Sequence, residues 1–395
     1  MGRLKFLTAG ESHGKMLTVI IEGLPAGIEL RPEDINRELK RRQISYGCGA
    51  RMTIESDEVE FTAGLRWGKT MGSPLSFSIA NKDWVNWQKK MSINKEDEDQ
   101  SIWVTRPRPG HADLAGALKY DQKDVRNILE RSSARETAAR VAVGAVCKIF
   151  LREFNIYFYS YVIAIGGIKA DYSGMSLKEI VAKAENSELR CADEMAEIRM
   201  KTRIDEARQK GDTVGGVVEI VVTGVPPGLG SHVHWDRKLD GRIAQSLMSI
   251  QAVKGVEIGL GFESAARFGS QVHDEIFYSP HEKEGAPLWR FFRKTNNAGG
   301  IEGGISNGEP LVVRCAMKPI STLMQPLKSV DLLTKKAVEA TVERSDVCRV
   351  PSLAVIGEAV VAFELARAFL EKFGGDSLQE VYSNYAHYLE RLKNF

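Results

Sequence analysis

Two stretches of this chain repeat one another in order, and this constrains the fold more than any other feature. Residues 21–28 read IEGLPAGI and residues 222–229 read VTGVPPGL. Each follows a β-branched run, Val19-Ile20-Ile21 and then Ile220-Val221-Val222, and each precedes an amphipathic stretch of helical character. Farther on, Gly72-Ser73-Pro74-Leu75 leads to Lys82, and Gly308-Glu309-Pro310-Leu311 leads to Lys318, with strand-like alternation between. A single G-x-P-x-G is an ordinary strand-end turn. The same motifs in the same order argue instead for two halves of similar topology, divided near residues 200–215. The expectation is one domain over 1–395 made of pseudo-repeats 1–205 and 206–395.

Helix signals lie between these strands. Ser133-Ala134-Arg135-Glu136 has capping-box spacing, and Ala138, Val141, Ala142, Ala145, Val146 and Ile149 then mark one apolar face. Ser176 with Glu179 opens a charged helical region expected to run to about Gln209. Leu353 to Phe373 reads as a largely apolar helix stopped by Gly374-Gly375, and Asp376 with Gln379 as the start of the last one. The tract Ser92–Gln100 reads as a polar loop. This mixture lacks the regular β-α alternation of a doubly wound sheet.

Composition narrows the function classes. With 43% hydrophobic residues the chain is neither disordered nor, at 36 glycines and 13 prolines, collagen-like. It has no apolar run of membrane-spanning length. Fifty-four Lys and Arg against 52 Asp and Glu leave a net charge of +2, which speaks against a nucleic-acid-coating protein. Five cysteines with no C-x-x-C pair do not form a secreted disulfide framework. Met1 to Phe6 shows no signal core, so a cytoplasmic protein is expected, with no membrane and no nucleic acid among its partners.

Two familiar phosphate signatures fail. Gly64 to Thr70 reads GLRWGKT, one residue short of a P-loop, and no G-x-G-x-x-G lies between a strand and a helix. What remains is a set of polar loops rich in Arg and His. Thr8 to Gly14 sets Glu11-Ser12-His13 between glycines, and His13 is of the type that serves as a general acid. Lys40-Arg41-Arg42 ends a helix, where its dipole alone could favour Lys40 and Arg41 but explains Arg51 poorly. Arg106-Pro107-Arg108-Pro109-Gly110-His111-Ala112-Asp113 is stiffened by two prolines, as a preorganised anion site or as a polyproline-like surface arm. Arg131-Ser132-Ser133-Ala134-Arg135, read as a capped helix start, offers amides, hydroxyls and guanidiniums suited to phosphate. Lys318 to Thr322, and Glu343-Arg344-Ser345-Asp346, complete the set; taken alone, a structural salt bridge accounts for Arg344 and Asp346. Together they describe a cationic pocket with two histidines and an acid, fit for a polyanionic small molecule.

These loops resemble, in order, the signatures of the chorismate synthase family: TAGESHG at 8–14, RRQ at 41–43, RPRPGHAD at 106–113, RSSARETAAR at 131–140, AVKGVEIG at 252–259, KPIST at 318–322 and ERSD at 343–346. The resemblance implies an α+β fold, a β-α-β sandwich with helices layered between antiparallel sheets, and a homotetramer. It implies a lyase of the shikimate pathway that converts 5-enolpyruvylshikimate 3-phosphate to chorismate by anti-1,4-elimination of phosphate. The implied cofactor is reduced FMN, used without net redox change. Some members reduce their own flavin with a nicotinamide nucleotide such as NADPH; the absence of an added reductase-like segment favours an external reductant here.

By the same resemblance, His13 is expected to protonate the departing phosphate, His111 to hold a proton near the flavin, and Asp346 to assist proton movement there. Arg42, Arg51, Arg108 and Arg135 are expected to bind substrate. Arg131, Ser132, Ser133, Gln251, Ala252, Gly303, Lys318, Pro319, Ile320, Ser321, Thr322 and Arg344 are the implied flavin-binding positions, and no metal is implied. One departure stands out. Cys48 occupies the arginine position of the family's Y-G-R-G-x-R, so either Lys40 or Arg41 compensates or substrate binding is weaker, and Cys48→Arg is expected to tighten binding. Gln251 stands where many members have Asn. A flavin-independent phosphate-eliminating or phosphotransfer enzyme is the second reading, and a basic RNA-binding module, which would need exposed stacking aromatics, the third.

Overall fold

Strand β2 (Met16–Glu22) shows the alternation that organises the molecule: Leu17, Val19 and Ile21 are buried, while Thr18, Ile20 and Glu22 face outward. The computed structural model describes residues 4–47, 56–279, 290–343 and 346–395. Within them β1 (Lys5–Ala9), β2, β3 (Val59–Ala63) and β4 (Leu75–Ala80) form an antiparallel sheet in the order β1-β2-β4-β3. A second antiparallel sheet contains β5 (Tyr157–Ile165), β6 (Gly216–Thr223), β7 (Val253–Ile258) and β8 (Leu311–Met317). Its order is β5-β6-β8-β7, with a short edge strand, Ile168–Lys169, beyond β5.

The register of the two sheets follows the repeated motifs. Ile21 pairs with Leu75 and Phe6 in the first sheet, and Val222 pairs with Leu311 and Phe158 in the second.

The longer helices are α1 (Pro32–Gln43), α2 (Asp113–Tyr120), α3 (Arg126–Ser132), α4 (Thr137–Arg152), α5 (Leu177–Asn186), α6 (Glu194–Gln209), α7 (Leu239–Met248), α8 (Val350–Phe373) and α9 (Leu378–Lys393). α4 and α8 lie against each other; α4 also meets β1, β2 and β5, and α8 meets β5, β6 and β8. The helix pair therefore fills the space between the sheets, and one hydrophobic core runs from Leu4 to Val381. Gly144 permits this crossing, because a Cβ there would stand 2.3 Å from the Cα of Ala359.

Local details differ from the sequence expectation in instructive ways. The charged helical region after Ser176 is two helices, because Leu189, Arg190 and Cys191 turn inward between them, with Arg190 at φ 54°. The last helix is capped by Ser377 and Glu380, one residue later than Asp376 and Gln379. Ser133 does not begin a helix that includes Arg131. It is an extended break between α3 and a 3-10 turn (Ala134–Glu136), and its hydroxyl accepts from the Arg135 N–H. The near-P-loop is a hairpin whose central residues, Trp67 and Gly68, have φ of 51° and 75°.

Candidate active site

The loops singled out in the sequence come from both halves and converge on one cavity of about 790 Å³. His13, Arg42, Arg108, His111, Ser132, Ser133 and Arg135 line it from the first half. Gln251, Ala252, Lys318, Ile320, Ser321, Thr322 and Asp346 line it from the second. A cavity of this size suits one or two small ligands.

Each histidine is paired with a carboxylate. His13 Nδ1 lies 2.8 Å from Glu130 Oε1, and the His13 backbone N–H donates to Glu130 Oε2 at 2.7 Å. The ring stacks on Trp87 with centroids 3.9 Å apart. Burial would raise the Glu130 carboxyl, but the His13 ring, its backbone N–H and Arg126 together hold it below the usual range. His111 Nδ1 contacts Asp113 Oδ1, and the same carboxylate receives Arg108 Nε at 2.8 Å and the Arg108 backbone N–H at 3.0 Å. Against burial, these partners hold Asp113 far below the usual carboxylate range. Arg108 also donates to Thr322 Oγ1 at 2.8 Å, so the two-proline loop is tied to the KPIST segment.

The cations are held rather than loose. Arg42 Nη2 and Arg135 Nη1 reach the two oxygens of Asp57 at 2.8 and 2.6 Å, and Arg135 Nε donates to Asn81 Oδ1 at 2.8 Å. Burial, and then the charges of Arg349 and Arg135, bring the Arg42 guanidinium down to about 10 against the pull of Asp57. Arg349 lines the cavity as well, with its Nε 3.0 Å from Asp346. Lys318 Nζ donates to the Gly110 carbonyl at 2.9 Å, and burial followed by the Lys254 charge lowers its ammonium value.

Three of the implied flavin positions do not line the cavity. Arg131 instead clamps the first motif, donating to the Gly10 and Thr8 carbonyls at 3.1 and 2.9 Å. Gly303 sits in the tight turn joining Ile301–Glu302 to Ile305–Ser306, and Pro319 is exposed. Cys48, Arg51 and Arg344 lie outside the described residues. Of the two cations expected to stand in for Cys48, Arg41 is committed to Glu38, Glu185 and Glu358, and Lys40 is exposed and away from the cavity. Among the described residues, Arg349 lines the cavity together with Arg42, Arg108, Arg135, Lys254 and Lys318.

Sequence reasoning missed Glu130, Asp57, Asn81, Trp87 and Arg349. Two of them had a signal, since Glu130 abuts the RSSAR motif and Arg349 follows ERSD by three residues. Asp57 and Asn81 had none. Among the described residues no group of three or more His, Cys, Asp or Glu is placed to hold a metal ion, and no helix is long and apolar enough to cross a membrane.

The profile of the family described as chorismate synthase matches residues 4–370 of this chain. The chain belongs to the chorismate synthase family. A chorismate synthase of Geobacter sulfurreducens is 62% identical over 392 residues, covering 99% of this chain and 100% of the relative. One from Geotalea daltonii is 61% identical over 391 residues, with the same coverage of 99% and 100%. One from Aquifex aeolicus is 55% identical over 400 residues, 99% of each. A solved structure titled "Crystal Structure of Chorismate Synthase" matches with a TM-score of 0.80 at 47% identity, over 99% of both chains. The α+β architecture is therefore that of chorismate synthase, and the chain is a lyase that forms chorismate in the shikimate pathway.

Proposed function

We propose that the cavity binds 5-enolpyruvylshikimate 3-phosphate beside reduced FMN and eliminates phosphate and a ring hydrogen in the anti-1,4 sense. The observation that carries this reading is the joining of two His–carboxylate pairs and a frame of anchored guanidiniums in one cavity. A substrate with two carboxylates and a phosphate needs several fixed cations, and guanidiniums orient such groups as well as neutralise them.

Arg42, Arg108, Arg135 and Arg349 bind and orient the anionic groups, together with Arg51 from outside the described residues. Arg108 and Arg135 are held by Asp113, Thr322, Asp57 and Asn81 and so need little reorganisation when the substrate arrives. His13 delivers a proton to the departing phosphate, whose negative charge grows as the C–O bond lengthens. His111, through the Nδ1 it shares with Asp113, and Asp346, beside Arg349, are the other proton-holding groups of the cavity.

The residues present fit a flavin. Gln251 Oε1 is buried without a hydrogen-bond partner, an acceptor that suits an imide N–H. Ala252 next to it carries a strained φ of 67°, and its carbonyl accepts from the Lys318 N–H. Ser132, Ser133, Lys318, Ser321 and Thr322 would hold the polar groups of the cofactor, with Arg344 from outside the described residues. Reduced FMN, when bound, supplies the electron density that eases C–O cleavage and is returned unchanged. We also propose an external reductant, assembly as a homotetramer, a cytoplasmic setting, and a chain made of pseudo-repeats 1–205 and 206–395.

An anaerobic assay of phosphate release with and without reduced FMN tests the reading. Release that depends on reduced FMN supports it; release at the same rate without flavin replaces it with a flavin-independent elimination.

A further inference from the structure

Glu130 stands 117 residues from His13 in the chain, yet it grips that residue at two places. Its Oε2 accepts the His13 backbone N–H at 2.7 Å, and the ring Nδ1 lies 2.8 Å from Oε1 and 3.1 Å from Oε2. The backbone reinforces the contact, since the Ser12 N–H donates to the Glu130 carbonyl at 3.0 Å. The carboxylate therefore fixes the imidazole in its own plane. Trp87 fixes it from the face, at 3.9 Å and 25°.

A carboxylate that is only 1% exposed is costly unless positive partners face it. Glu130 has two, the His13 ring and Arg126, whose Nη1 is 3.3 Å away. Asp113 shares its charge between His111 and three contacts from Arg108, whereas Arg126 makes a single long contact to Glu130 and a shorter one, 2.9 Å, to Glu343. More of the Glu130 charge is thus available to the imidazole.

We propose that Glu130 is the positioning residue of His13: its buried carboxylate keeps the hydrogen on Nδ1, so that Nε2 is the nitrogen that delivers the proton to the departing phosphate. The proposal rests on the reading of His13 as that proton donor. Glu130 touches no reacting atom. It sets which nitrogen exchanges the proton. Helix α3 carries Glu130 next to Arg131 and Ser132, so the element that clamps the first loop also orients its histidine.

Glu130→Gln, His13→Ala and the double variant separate the two claims when assayed anaerobically with reduced FMN and 5-enolpyruvylshikimate 3-phosphate. Glu130→Gln should lower kcat on the order of tenfold or more while KM and oxidised-FMN affinity stay near wild type. The double variant should be no slower than His13→Ala, because the second change then has nothing left to act on. Glu130→Asp, which preserves the charge but withdraws it from Nδ1, should show the same loss of kcat and serves where the Gln variant folds poorly. An impaired His13→Ala beside an unimpaired Glu130→Gln overturns the positioning role alone. Losses that multiply in the double variant overturn it too, because Glu130 would then act independently of His13. A His13→Ala enzyme with wild-type kcat overturns the reading of His13 itself.

Discussion

Arg42 and Arg135 share a single carboxylate, that of Asp57, which is 4% exposed and meets them through different oxygens. Two guanidiniums thus meet on one acid, and the charges of Arg135 and Arg349 both act on Arg42. An anionic substrate placed against these cations would relieve that repulsion. Asp57→Asn removes the only carboxylate charge that faces Arg42 among the described contacts and should cost about 3 kcal/mol of stability. The loss should shrink when substrate is added, because ligand binding to the folded state restores the missing charge. Melting temperatures with and without 5-enolpyruvylshikimate 3-phosphate check this. Equal ligand-induced shifts in the variant and wild type would show that the trio does not face the substrate.

Arg349→Ala should raise KM for the substrate about tenfold, the scale of one hydrogen bond to a charged group, and change kcat much less. Lys40→Ala should leave both unchanged, since Lys40 is exposed away from the cavity. Steady-state kinetics of the two variants decide between them. A KM effect at Lys40 and none at Arg349 would return the compensating role to the helix end.

The contrast between these two residues shows how much the sequence disclosed. Strand positions were legible because burial imposes a two-residue period on β2, and because a proline-glycine turn follows both β2 and β6. The loops that build the cavity were legible because Arg, His, Ser and Gly cluster in short runs. Their partners were not. Asp57 acts on Arg135 from 78 residues away in sequence, and a lone acid in a polar segment carries no mark of the cation it will meet. Arg41 and Arg42 illustrate the same limit. They are neighbours in α1, yet the helix turns Arg41 toward Glu358 and Arg42 toward the cavity.

Gln251→Leu should act with opposite signs on the free and the flavin-bound protein. The buried Oε1 has no partner in the unliganded fold, so replacing it with an apolar group of similar size should raise the melting temperature of the apoprotein slightly. The same change should weaken FMN binding by up to about tenfold, the worth of one hydrogen bond. Flavin titration and a thermal melt of the apoprotein read the two effects. A variant that binds FMN as wild type does would place the amide outside the flavin contact.

Acid should weaken the ion-pair network that ties the helix layer together. Glu358, in the middle of α8 and 0% exposed, receives Arg41 Nη1 at 2.9 Å and also Lys148, with Arg190 at 3.9 Å. Glu38 and Glu185 extend the network, linking α1 and α5 to α4 and α8. Burial opposes ionisation at all three acids, but the surrounding cations win and hold each below its ordinary value; Glu185 falls from 4.5 to about 2. A depressed folded-state value means that the stabilisation is whole above the unfolded carboxylate range and is lost as pH falls through the folded value. For Glu185 that window runs from 4.5 down to about 2. Urea midpoints should therefore drop steeply below pH ~4.5 in the wild type. Glu358→Gln, which strands buried cations, should cost about 3 kcal/mol at neutral pH. Its midpoint should then fall less with acid than that of the wild type, because the most buried of the three acids no longer titrates. Parallel acid limbs in the two proteins would show that the network does not set the acid stability of the fold.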